Sequence, residues 1–161
     1  MLFRSLEECD LPYRVHAVDL RGGGQFAPEF LKISPNNKIP AVVDGGLAIF
    51  ESGAILVYIA EKTGRFLATS GPTRYAALQW LFFQVGGVGP MLGQAHHFRT
   101  YSQEKIQYAI DRYTNEAKRL FGVADKRLAE ARFLAGSDYS IADMACMPWM
   151  RLYKEIGRAH V

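Results

Sequence analysis

Few side chains in this sequence combine a reactive group with a spacing that would put it to use. The two cysteines, Cys9 and Cys146, are far apart and form neither a CxxC pair nor a zinc spacing. Both lie on apolar segments, where a thiol is expected to be buried and inert. His96-His97 offers two imidazoles, but adjacent helical residues point in different directions and no third ligand has suitable spacing. No metal is expected. "GGVGPMLG" does not follow a strand and lacks dinucleotide-binding spacing, so close helix packing is the better reading of its glycines. Glu51-Ser52 stands apart. Ser52 is placed as the N-cap of an apolar helix, whose first amide hydrogens and positive dipole end would hold a carboxylate. Taken alone, the pair reads more simply as a plain cap with an acidic neighbour. Pro40 is equally two-sided. It sits between Ile39 and Ala41 at the lip of a β-prone run, although proline lacks the amide hydrogen a ladder needs. An ordinary turn proline and a shaped binding corner fit it equally well.

The elements that must position these residues follow from pattern. "MLFRSLEECDLPY" has Leu2, Phe3 and Leu6 at helical spacing before a Leu-Pro break, and reads as the later part of a helix. Tyr13–Leu20 alternates apolar and polar residues and predicts a strand. A glycine-rich loop and a short helix with Pro28 in its first turn come next. "KIPAVVD" and "GGLAIFE" predict two strands joined at Asp44-Gly45-Gly46. "SGAILVYIAEKTG" predicts a helix stopped at Gly64. Residues 65–72 read as a linker, and everything beyond is helical. There, Ile106, Ile110, Tyr113, Ala117, Leu120 and Leu128 share one face of a long amphipathic helix. Ser140 and Asp143 have capping-box spacing, with Tyr139 and Met144 placed as a hydrophobic staple. Trp80, Phe82, Phe83 and Trp149 are expected mainly in the core, with some able to line a substrate cleft.

Bulk properties narrow the function. A chain of 161 residues with 49% hydrophobic and 22% charged residues is an ordinary globular protein. The net charge of +3 is spread without a basic stripe, which argues against nucleic-acid binding. No apolar run approaches membrane-spanning length. With no disulfide framework, a reducing cytoplasm is the expected location. The final "EIGRAHV", Glu155–Val161, back-translates readily into a string resembling a sequencing-library adapter, and is expected to be adapter read-through.

The motifs "SPNNKIPAVVD", "FESGAILVYIAEKTG" and "SIADMACMPW", in that order, resemble those of cytosolic glutathione transferases. "GGQFAPEFLKISPNNKIP", "LQWLFFQVGGVGPMLGQAHHF" and "YAIDRY" are similar to the bacterial nu-class, the glutathione-dependent disulfide-bond oxidoreductases. The resemblance covers residues 1 to about 154. It implies an α/β then all-α chain: a partial thioredoxin-like domain at 1–64, a linker at 65–72 and a partial helical domain at 73–154. The family's first strand and catalytic loop, which carries threonine and asparagine in the nu-class, would precede Met1. No catalytic residue is therefore expected within the chain.

The resemblance further implies a cis Ile39–Pro40 bond that leaves the backbone of Ile39 facing the cysteinyl part of glutathione. Ser52 would hold the γ-glutamyl carboxylate and Glu51 the ammonium group. Gln25 would be a further glutathione contact, and Arg112 would meet a carboxylate of the ligand. Glutathione is the implied co-substrate, a disulfide or an electrophilic small molecule the second substrate, and a homodimer through the helix from Thr73 the implied assembly. The implied reaction is disulfide reduction by a glutathione thiolate, a second glutathione resolving the mixed disulfide. Conjugation to electrophiles, isomerisation, or a non-catalytic binding or regulatory role are the alternatives.

Overall fold

The computed structural model describes residues 2–153, so the tail Glu155–Val161 lies outside the described residues. The chain divides into two compact units, Met1–Arg65 and Phe66–Val161.

In the first unit, α1 (Leu2–Glu8) packs against α3 (Ser52–Thr63). Leu6 and Cys9 are buried, as is the stripe Ile55, Leu56, Ile59 and Ala60 of α3, whose spacing is that of one helix face. The 3-10 turn Gly24–Phe26 and the one-turn α2 (Pro28–Leu31) follow an irregular stretch. Strands β1 (Ala41–Asp44) and β2 (Leu47–Phe50) then form an antiparallel hairpin in which Ala41 faces Phe50 and Asp44 faces Leu47. The two-residue turn between them places Gly45 at φ 55° and Gly46 at φ 90°, a conformation that excludes most side chains without strain. The expected helix stop also holds: Gly64 adopts φ 67° and its amide returns to the Ala60 carbonyl.

Two expectations fail here. Tyr13–Leu20 is not a strand. A strand exists only with a partner ladder, and residues 11–19 adopt no regular structure. Instead the Tyr13 ring lies 5.9 Å from that of Phe3 and its hydroxyl donates to Glu7 of α1 at 2.5 Å. Val15 is left 60% exposed. The second correction concerns Ser52. The carbonyl of Glu51 accepts the first helical bond from the Ile55 amide at 3.0 Å, so Glu51 is the N-cap and Ser52 the first helical residue.

The second unit is helical throughout. Helix α4 (Gly71–Phe83) begins inside the segment read as linker. It runs through a π-turn (Gln84–Val88) into α5 (Gly89–His96), and a second π-turn (His97–Tyr101) precedes α6 (Gln107–Glu130). Val88, Leu92 and Ala95 pack on Ala117, Leu120 and Phe121 of α6. Close packing, the expected reading of these glycines, holds at Gly89 and Gly93, whereas a Cβ on Gly86 would meet nothing within 4 Å. A Cβ on Gly89 would stand 2.8 Å from Gln84 Nε2, and one on Gly93 would stand 3.5 Å from the Trp149 ring. The α6 face is rotated from the predicted one toward Thr114, Phe121 and Ala124. Ile106 precedes the helix at 40% exposure, and Leu128, near its end, is 48% exposed. Phe82 is likewise not a core residue: it is 66% exposed, on the side of α4 opposite Ala77 and Leu81.

Helix α7 (Ile141–Met150) carries the expected capping box. The Asp143 carboxylate accepts from the Ser140 amide and hydroxyl, both at 3.0 Å, and its other oxygen accepts from the Leu134 amide at 2.9 Å. Ser140 Oγ accepts from the Ala142 amide at 3.3 Å.

Each of these ties is testable by denaturation. Ser140→Ala should lower the unfolding free energy by about 1 kcal/mol. Asp143→Ala leaves several donors unmatched and should cost about 2 kcal/mol in the same urea titration. In the first unit, Asp44 accepts from Lys62 and from the Tyr58 hydroxyl, and these two hydrogen bonds, Lys62 first, hold its carboxyl below the usual range. A depressed carboxyl stabilises the fold above its unfolded pKa and ceases to do so as pH falls through the folded one. Asp44→Asn should therefore lower the melting temperature at neutral pH, and the gap to wild type should narrow below about pH 4 and then close.

Candidate functional site

The hairpin register builds the site. Because Ala41 pairs with Phe50, the next residues outward on the two strands, Pro40 and Glu51, emerge at the same end of the sheet. The Ile39–Pro40 peptide is cis, as expected. Glu51 joins β2 to α3 by itself, at φ 69° and ψ 116°, a sparsely populated region for a residue with a side chain. The result is a shallow pocket of about 80 Å³ lined by Ser34, Asn36, Lys38, Ile39, Pro40, Phe50, Glu51 and Ser52. Four sequence-predicted residues, Ile39, Pro40, Glu51 and Ser52, thus come together.

Its chemistry is mixed. The amides of Ser52 and Gly53 have no carbonyl one turn back in α3, so they and the helix dipole favour an anion at this end. Glu51 supplies a carboxylate for a cation and is exposed. Ile39 is 52% exposed and lies outside both strands, so its backbone is not committed to the hairpin ladder. The loop leading into the site is fixed from within. Ser34 is fully buried, its hydroxyl donates to the Lys38 carbonyl at 2.9 Å, and its own carbonyl accepts from the Asn37 amide at 2.9 Å.

Gln25 does not line this pocket. It lies in the 3-10 turn, half-buried, with its Oε1 buried and unpartnered within the protein, an acceptor that calls for a donor. Arg112 belongs to the second unit. There it lines a separate depression of about 640 Å³ with Met91, Tyr108, Asp111, Tyr113, Asn115 and Glu116. Sequence reasoning misses Asn36 and Lys38. Both stand inside the "SPNNKIP" stretch, and their only signal is proximity to Pro40 rather than any pattern of their own.

The other candidate chemistry recedes. Burial pushes the Cys146 thiol up to about 12, with Asp143 adding to the shift, so it carries almost no thiolate at neutral pH. Cys9 is buried, with Sγ 3.5 Å from Thr63 Oγ1. The rings of His96 and His97 lie against Tyr101 and Phe98 respectively. Among the described residues, no group of three or more His, Cys, Asp or Glu side chains could hold a metal ion.

Known proteins resemble this chain over most of its length. Residues 4–61 match the family described as "Glutathione S-transferase, N-terminal domain". The chain is 58% identical over 155 residues to the disulfide-bond oxidoreductase YfcG of Escherichia coli K12, covering 92% of this chain and 72% of that protein. It is 45% identical over 142 residues to the disulfide-bond oxidoreductase YghU of the same organism, covering 85% of this chain but only 49% of the relative. Among solved structures, a glutathione transferase family member from Pseudomonas fluorescens Pf-5, crystallised with two glutathiones bound, superposes with a TM-score of 0.89 at 48% identity. That match spans 95% of this chain and 70% of the other. With a thioredoxin-like first unit followed by a helical second unit, the chain belongs to the glutathione transferase family.

Proposed function

We propose that this chain binds glutathione at the notch between Ile39 and Ser52, and that the whole protein is a cytoplasmic glutathione-dependent disulfide reductase. The observation that carries the reading is the meeting of the cis Ile39–Pro40 corner, Glu51 and the N-terminus of α3 in one pocket. Glutathione is a peptide with charged groups at its ends and a thiol in the middle, and the site offers a group for each charge. The backbone of Ile39, beside Pro40, pairs with the cysteinyl segment as an added strand would. The Ser52 end of α3 takes the γ-glutamyl carboxylate, and Glu51 takes the neighbouring ammonium. Lys38, exposed on the same loop, supplies a cation for the glycyl carboxylate. Gln25 adds a contact through its unpartnered carboxamide oxygen.

In the proposed reaction a glutathione thiolate attacks a disulfide, whose S–S bond breaks to release one thiolate and leave a mixed disulfide. A second glutathione thiolate attacks that mixed disulfide, releasing the remaining thiol and glutathione disulfide. The chain's role is to bind and orient, since neither of its own thiols is exposed for the exchange. Two chains associate through α4, where Tyr75 and Phe82 stand seven residues apart on one face, each 66% exposed. A pair of large apolar side chains so placed is what an interface uses.

Calorimetric titration with glutathione tests the binding site. Glu51→Gln should weaken binding about tenfold, the equivalent of about 1.4 kcal/mol for a charge-assisted contact. Affinity unchanged in that variant would overturn the assignment of Glu51. Turnover of a small disulfide against that of an aromatic chloride separates reduction from conjugation: faster disulfide turnover is expected, and the reverse would favour a conjugating transferase.

A further inference from the structure

Asn36 has a task in this pocket that its sequence position does not suggest. Its side-chain amide donates to Glu51 Oε1 at 3.3 Å, across fifteen residues of chain. A carboxylate only accepts, so the group facing it must be the NH2 of the carboxamide. The anchor on the Asn36 side is firm: the loop from Ser34 to Lys38 is closed by the buried Ser34, which bonds to the Lys38 carbonyl and the Asn37 amide. On the other side, the Glu51 backbone is fixed between β2 and α3. Only the Glu51 side chain, exposed and long, is left to be ordered. Ordering such a chain carries an entropic cost that binding must otherwise meet.

We propose that Asn36 is a positioning residue that holds one carboxylate oxygen of Glu51 and so aims the other at the ammonium group of the ligand. The proposal rests on the reading of this pocket as a glutathione site. A contact made before the ligand arrives removes part of the ordering cost of binding. It also leaves Oε2 unshared for the incoming cation, with a charge-assisted bond on Oε1 to keep its direction.

The test is a pair of ligands and a mutant cycle, read by calorimetry on the full chain. One ligand is glutathione. The other is its deamino counterpart, in which a glutaryl group replaces γ-glutamyl and no ammonium is present. Asn36→Ala should bind glutathione about fivefold more weakly while binding the deamino ligand within about twofold of wild type. In the Glu51→Gln background, Asn36→Ala should bring no further loss, since the residue acts through Glu51. Circular dichroism should be unchanged, because Asn36 is exposed.

Equal weakening of both ligands would mean that Asn36 merely shapes the loop, and would overturn the proposal while leaving the glutathione site standing. The proposal also fails if the loss persists beside Glu51→Gln, or if Asn36→Ala binds glutathione as tightly as wild type does. Failure of the unmutated chain to bind glutathione would overturn the site and this inference together.

Discussion

The first unit turns on a single residue. Strand β2 ends at Phe50 and α3 begins at Ser52, leaving Glu51 alone to reverse the chain from sheet to helix. It does so at φ 69°, where a side-chain-bearing residue stands at a disadvantage of about 1–3 kcal/mol. Such a conformation persists only when both flanks over-determine it. One flank is the hairpin, whose register is set by the Gly45-Gly46 turn. The other is α3, held by the buried Ile55, Leu56, Ile59 and Ala60. Asp44 joins the two flanks by accepting from Tyr58 and Lys62. Together these contacts hold the Glu51 backbone where the carboxylate and the start of α3 lie beside the Ile39–Pro40 corner.

The second unit solves a different problem. Two π-turns interrupt what would otherwise be long regular helices, and the small residues around them let Trp149 and Gln84 lie close to the backbone of α5. Gly89 is the tightest of these positions, since any Cβ there would collide with the Gln84 amide. Asp143 does for α7 what hydrophobic contact does for α5. One carboxylate caps its own helix and also reaches the Leu134 amide, fixing the preceding loop to the helix start. Ala142 and Cys146 then join Ala124 and Leu134 in one buried cluster. A thiol there fills volume, and its raised pKa follows from that burial first and from Asp143 second.

What the sequence discloses divides along physical lines. Local signals are legible: the hairpin glycines, the Gly64 stop, the Ser140–Asp143 box and the apolar stripe of α3 all act within a few residues of themselves. Tyr13–Leu20 misleads because alternation describes a segment's fitness for a sheet and says nothing of whether a partner lies beside it. In the structure Tyr13 finds α1 instead. Phe82 misleads because an aromatic residue in an apolar run carries no label for the side of the helix it occupies. The cap falls one residue before Ser52, since Glu51 reaches its unusual dihedral through its neighbours and not through its own propensity. Asn36 is invisible for the same reason: its partner is fifteen residues away, and only the folded hairpin brings them together.

That division bears on the kind of recognition this pocket supports. Much of what it presents is backbone: the uncommitted main chain of Ile39 and the free amides at the start of α3. Backbone groups are shared by every residue type, so their usefulness depends on geometry, and geometry is written in prolines, glycines and positive φ angles. The side chains that do contribute, Glu51, Asn36 and Lys38, line the rim of the notch and are exposed to solvent, where charge is screened and single contacts are weak. Weak contacts of this kind discriminate between ligands only when they act from fixed positions. The buried Ser34 and the constrained Glu51 backbone provide that fixity, one from each side of the pocket. A loop and a strand-to-helix junction can therefore do, in concert, what neither would do as an isolated motif.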